Sequence, residues 1–269
     1  MYKNIFYVIL FCIQSACVLA KELAQLYSPD KRIRVEILQH EKMYYRVSYD
    51  DVYVMQATPF SITINGQTRA YFPAAKNIIS GTTDTVLTTV WGTRKSIRDH
   101  FNSLEIKFDK ELSVQFRAYN NGVAYRFVLK ATGKEYIVDH EEVTFRFNFN
   151  TDAWMLDEAS YESNYIKRPL DVQTITDFRN SMSKIFLPIV VQATPKVKVA
   201  ITEAGLHNYP SLFLDRGNDY ENFLNGTFEK YSTANKQGGF SNYAEVSMAN
   251  ENYIAKVPGR FEFPWRVFI

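Results

Sequence analysis

A polar–apolar alternation of period two runs along almost the whole chain, and it admits strands and little else. In Arg32-Ile33-Arg34-Val35-Glu36-Ile37 every second residue is apolar, as a half-buried strand requires. Tyr44–Tyr49 repeats the pattern, and the polar stretch from Gln39 to Lys42 between the two reads as a hairpin turn. Phe60–Ile64 runs into Asn65-Gly66, a dipeptide that supplies the positive φ of a tight turn. Tyr119-Asn120-Asn121-Gly122 is another hairpin signal, between strands predicted at Leu112–Ala118 and Val123–Lys130. Further strands are predicted at Thr85–Val90, Ser103–Phe108, Val143–Phe149, Ile185–Val191, Lys196–Thr202 and Phe261–Ile269. No long stretch carries a helical stripe. Phe, Tyr and Trp make up 15% of the residues, which suits a β-rich core. The fold class read from this pattern is all-β, a sandwich of two antiparallel sheets. The polar segment Asp215–Asn242, with Asn225-Gly226 and Gly238-Gly239, reads as a long surface excursion.

The amino terminus follows a different rule. Lys3 precedes the apolar run Ile5–Ile13, and small residues lead to Val18-Leu19-Ala20. A charged start, a short apolar stretch and a small-residue end make a secretory signal peptide, cut after Ala20. The apolar run is too short to span a bilayer. The expected organisation is a signal peptide over residues 1–20 and one domain over 21–269. The expected location is secreted or periplasmic, with no membrane attachment after cleavage; lipidation at Cys17 is the alternative. Both cysteines, Cys12 and Cys17, lie in this leader, so thiol chemistry and disulfides are excluded from the rest. A net charge of +2 gives no reason to expect a nucleic-acid partner. The apolar run Phe263–Ile269 predicts a continuation, because natural termini are usually polar.

Local catalytic motifs are absent. There is no phosphate-binding glycine loop, no His-Glu-x-x-His and no Gly-x-Ser-x-Gly. His40 and His140 sit among charged neighbours and are expected in solvent. Glu141-Glu142 and Asp157-Glu158 are adjacent carboxylates, which a strand sends to opposite faces. They do not converge on one bond, so both pairs are read as solvated charges and no catalytic residue is assigned.

Three segments are more specific: Val114–Phe127, with Phe116-Arg117-Ala118-Tyr119-Asn120 and Ala124-Tyr125-Arg126-Phe127 about its turn; Val199–Pro210, with Ile201-Thr202-Glu203-Ala204 and Tyr209-Pro210; and Pro264-Trp265-Arg266. In this order after a signal peptide they resemble the amino-terminal domain of glycoside hydrolase family 97, secreted bacterial α-glucosidases and α-galactosidases. Trp91-Gly92 with Arg94, and Tyr161 after Glu158, fit more loosely. The resemblance implies a β-supersandwich of the galactose-mutarotase-like type, followed in the family by a catalytic (β/α)8 barrel. It implies an α-linked oligosaccharide as substrate and calcium as cofactor, with Glu203 supplying one calcium ligand from this domain. A carboxylate at a strand end suits a hard cation, but one carboxylate alone falls far short of the six to eight oxygens calcium takes. His207 and Asn208, on the same loop, are candidates to border the substrate. Arg117 and Arg126 are expected to be structural, and Trp91 and Trp265 to be buried in the core or at an interface. The function expected is that of a non-catalytic domain of such an enzyme, inactive alone. The alternatives are a stand-alone carbohydrate-binding or interaction module, or a non-functional gene fragment.

Overall fold

The computed structural model describes residues 20–69, 77–90, 92–148, 151–157, 165–170, 184–216, 223–238 and 244–269. The signal-peptide residues 1–19, Trp91, and Glu158 with Tyr161 lie outside the described residues. Among the described residues every regular element is a strand. The first seven are β1 (Lys21–Tyr27), β2 (Ile33–Gln39), β3 (Met43–Tyr49), β4 (Val52–Ile64), β5 (Gln67–Arg69), β6 (Asn77–Thr88) and β7 (Ser96–Lys107). Then come β8 (Leu112–Tyr119), β9 (Gly122–Lys130), β10 (Tyr136–Arg146), β11 (Asp152–Asp157), β12 (Ile166–Pro169), β13 (Ile185–Thr194) and β14 (Val197–Ala204). The last are β15 (Phe213–Arg216), β16 (Phe223–Thr227), β17 (Ser232–Gly238), β18 (Ala244–Asn250), β19 (Ala255–Val257), β20 (Arg260–Glu262) and β21 (Trp265–Phe268).

Among the described residues every pairing is antiparallel. The main run is β1-β2-β3-β4-β10-β16-β15-β13-β14-β21-β9-β8-β7-β6. It folds over on itself, so that β3, β4 and β10 face β8, β9 and β21 across an aromatic core. Tyr45 and Phe60 from one layer meet Phe116, Tyr125 and Phe268 from the other with ring centroids 5.2–6.0 Å apart. These are tilted, edge-on and stacked arrangements that aromatic quadrupoles favour. The far ends of the run nearly meet: Asn102 on β7 donates to the Tyr27 carbonyl of β1 at 2.8 Å.

The period-two reading holds through most of this frame. The three predicted turns are present; Asn65 and Gly66 have φ of 51° and 70°, and Tyr119 pairs directly with Gly122. Three expectations change. The two sheets expected are one: the main run is a single continuous antiparallel sheet folded over on itself. Asp215–Asn242 is not simply a surface excursion: β15 and β16 enter it as sheet members, with Leu214 and Leu224 fully buried. Only β17 and β18 stand apart, as a separate two-stranded ribbon. Two apolar residues in a short strand were enough to bury it, and the polar flanks hid them. The expected final strand is broken at Phe263-Pro264 into β20 and β21, both paired with β9. Proline has no N–H for a ladder bond, so the break falls there.

Candidate functional site

Glu203 is the penultimate residue of β14 and lies directly opposite Arg266 on β21. Alternation sends both side chains inward, while their neighbours Ala204 and Trp265 face outward. Strand β14 stops because Gly205 takes a φ of 69°, a conformation glycine adopts without cost. The following loop returns to the core, where Tyr209 and Leu212 are buried. Loop and strands thereby enclose one polar cluster.

Its centre is the Arg266 guanidinium, which is completely buried. Nε and Nη2 donate to Glu141 Oε1 and Oε2 at 2.9 and 2.6 Å, a two-pronged pair reaching β10 in the opposite layer. Nη1 donates to Glu203 Oε2 at 2.8 Å. The Tyr209 hydroxyl donates to Glu141 Oε2 at 2.9 Å, and the Leu212 N–H lies 3.2 Å from both Glu203 oxygens. Planar, two-pronged arginine–carboxylate contacts are the strong form of this bond. Burial of Arg266 works against its charge, but Glu141, with Tyr209 and Tyr125, outweighs it, and the Arg266 pKa stands above the ordinary arginine value. Burial pushes the Glu203 carboxyl up, against the pull of Arg266 and the Leu212 N–H. Two carboxylates therefore share one guanidinium. The less enclosed of them is Glu203, whose side chain keeps 13% exposure and so opens to the rim of the sandwich.

The expected site residues fall out as follows. Glu203 is at a strand end, as anticipated, but it is tied to Arg266 rather than held free. His207 and Asn208 are exposed on the loop beyond it, Asn208 with a φ of 49°. The structure brings neither into the Glu203 cluster. His40 and His140 are exposed. Arg126 pairs with Glu262 at 2.6 Å and Gln115 at 3.2 Å, a structural role. Trp265 is not in the core: it is half-buried on the outer face, with the guanidiniums of Arg117 and Arg126 4.5 and 4.3 Å from its ring.

Glu141 corrects the sequence reading outright. It does point away from Glu142, but its face is the inner one, shared with Val143 and Phe145. Glu142 meets Lys42 and Ser61 at 2.9 and 2.8 Å. The signal was present: Glu141 and Arg266 are opposite charges, each set in the apolar phase of its own strand, and buried charges survive only in pairs.

Calcium takes six to eight oxygens. Among the described residues no group of three or more His, Cys, Asp or Glu is placed to hold a metal. The cluster can present one oriented carboxylate at a rim; it does not make a metal site by itself.

Residues 26–269 match the family model described as glycosyl-hydrolase 97 N-terminal. A retaining alpha-galactosidase of Bacteroides thetaiotaomicron is 29% identical over 99% of this chain and 41% of its own length. The chain thus spans about two fifths of that relative. A glycoside hydrolase family 97 enzyme from Pseudoalteromonas sp. strain K8, in complex with acarbose, superposes with a TM-score of 0.73 over 91% of this chain and 35% of that one, at 19% identity. A beta-arabinopyranosidase gives the same TM-score at 18% identity, covering 91% of this chain and 39% of its own. Likeness at such low identity shows a shared fold.

Proposed function

The chain belongs to the glycosyl-hydrolase 97 N-terminal family, and from that premise we propose that it is the non-catalytic amino-terminal domain of a secreted glycoside hydrolase. In this reading it is a galactose-mutarotase-like supersandwich that forms one wall of a carbohydrate site. A catalytic (β/α)8 barrel supplies the reacting carboxylates and most of the calcium ligands, and this domain adds one, Glu203. Calcium there would polarise the sugar. The contribution of this chain is to hold a carboxylate at a fixed place and angle. The substrate class is an α-linked oligosaccharide, in keeping with the acarbose and panose complexes of the Pseudoalteromonas enzyme. His207 and Asn208 border the sugar from the exposed loop. Export through residues 1–20 to the periplasm belongs to the same proposal.

The observation that carries this reading is the Glu203–Arg266–Glu141 cluster. A fully buried cation orients a carboxylate that lies near the end of its strand and keeps 13% side-chain exposure. Rigid presentation of this kind is what a ligand shared between domains requires.

The chain alone is expected to be inactive. Glycoside hydrolysis needs two carboxyl groups flanking one bond. In the cluster the two carboxylates are instead bound to the same guanidinium. The chain from Lys21 onward, incubated with aryl α-glucosides and α-galactosides with and without calcium, should release aglycone at the buffer rate. Release above that rate that vanishes on changing one carboxylate of this chain would refute the non-catalytic assignment.

A further inference from the structure

Strand β6 is an edge with an unusual pattern. Among the described residues it pairs with β7 alone, in unbroken register from Asn77↔Lys107 to Thr88↔Ser96. Among the described residues its other side is unpaired, so along these 12 residues every second one turns its backbone donor and acceptor outward. Natural edges are guarded by lysine, proline or bulges. Asn77-Ile78-Ile79-Ser80-Gly81-Thr82-Thr83-Asp84-Thr85-Val86-Leu87-Thr88 has no lysine, no proline and no register break. Its single charge, Asp84, is held two-pronged by Arg98 at 2.8 and 2.7 Å, so the strand does not repel a copy of itself. Its large apolar residues stay in water: Ile78 is 41% exposed, Ile79 46%, Val86 65% and Leu87 52%.

The placement of these four selects the partner. They form a pair near each end of the strand, about a centre of small polar residues from Ser80 to Thr85. The pattern reads nearly the same in both directions. Two antiparallel copies related by a two-fold axis through the sheet must place same-parity residues opposite each other, because opposed residues share a face. Two registers keep the strand almost fully paired. An axis through Thr82 sets Ile78 opposite Val86 of the second copy, and Ile79 beside it opposite Thr85. An axis through Thr83 sets Ile79 opposite Leu87. Each register closes its apolar pair twice by symmetry, and in neither does Asp84 oppose another Asp84. Cross-strand apolar pairs are the unit from which sheet stability is built.

We infer that β6 is a self-association edge: a second copy of this chain adds its own β6 antiparallel, on a two-fold axis at Thr82 or Thr83, and joins two sheets into one. An edge of this length buries roughly 1,000 Å² in total, at the low end for a specific interface. The dimer is therefore weak, with a dissociation constant on the order of micromolar. This is independent of the role of Glu203, which lies on a different strand.

Cysteine scanning tests it directly, because the chain from Lys21 onward contains no cysteine. Opposed Cα atoms in an antiparallel pair lie about 4.5–5.5 Å apart, within disulfide reach. Under mild oxidation Thr82→Cys or Thr83→Cys should yield cross-linked dimer at least about tenfold faster than Thr88→Cys, which the axis keeps far from its copy. Sedimentation equilibrium should show the two-copy mass growing with concentration. Ile79→Lys with Val86→Lys, checked for unchanged circular dichroism, should move that growth at least about tenfold higher in concentration. Equal cross-linking at all three positions means random collision and overturns the proposal. So does a one-copy mass up to roughly 500 µM, far above the affinity proposed, or growth into open-ended assemblies. If the lysine variant loses its fold, the cysteine comparison alone decides.

Discussion

Arg266→Met is expected to lower the folding stability of the chain by roughly 3–5 kcal/mol, the cost of stripping the partner from a buried charge. The guanidinium is completely enclosed and bonds Glu141, which is itself buried, and Glu203. Methionine fills much of the same space, so lost volume is not the source of the effect. The source is Glu141, which among the described residues keeps the Tyr209 hydroxyl as its one side-chain donor. A carboxylate in that position must either protonate or bring water into the sandwich. The paired change Glu141→Leu with Arg266→Met removes both charges and should recover most of the loss, since replacing a whole buried pair by apolar groups is often neutral or stabilising. Urea unfolding midpoints of the three proteins measure this. If Arg266→Met alone costs less than about 1 kcal/mol, the range of an exposed pair, the cluster does not bind the two layers together.

Phe60→Ala is expected to cost a similar amount, roughly 3–5 kcal/mol, for a different reason. Phe60 is fully buried on β4, and its ring contacts Tyr45, Phe116, Tyr125 and Phe127. Those partners come from β3, β8 and β9, so the ring sits where the two layers meet. Truncation leaves a cavity bordered by rings that cannot collapse into it, because each is already fixed by its other neighbours. Phe60→Leu, which refills much of the volume, should cost distinctly less. Thermal unfolding gives the comparison; equal costs for alanine and leucine would mean the site relaxes freely and the core is not close-packed there.

The sequence made the frame legible wherever strands had one wet face. Alternation placed β2, β3, β8 and β14, and Asn65-Gly66 and Asn120-Asn121-Gly122 placed turns, because positive φ and period two are local properties; β9, buried on both faces over most of its length, was marked off by the turn before it. Strands β15 and β16 escaped because each is short, with two apolar residues followed by polar ones, and their burial depends on β10 and β13, which are distant in sequence. Glu203 could be singled out by its motif and its strand-end position. Glu141 could not be placed by adjacency to Glu142; only its phase relative to Val143 and Phe145 marked it as inward, and only the distant Arg266 explains how it can stay there. Tyr209 shows the same limit. It lies on a loop beside Pro210, and nothing local marks its ring as inside, packed against Phe228, Phe261 and Phe263.

The central claim is that Glu203 is a calcium-directed carboxylate held by Arg266, and calcium titration of the barrel-bearing enzyme tests it most directly. Isothermal calorimetry of this domain joined to the proposed catalytic barrel, with Glu203 and with Glu203→Gln, compares a charged ligand with a neutral one of the same shape. The account predicts at least about tenfold weaker calcium binding for Glu203→Gln, since a hard cation loses one anionic oxygen from its set. It also predicts an unfolding free energy unchanged to within about 1 kcal/mol, because Arg266 keeps Glu141. Equal calcium affinity in the two proteins, with the fold intact, would contradict it and leave Glu203 as an internal partner of Arg266 and nothing more.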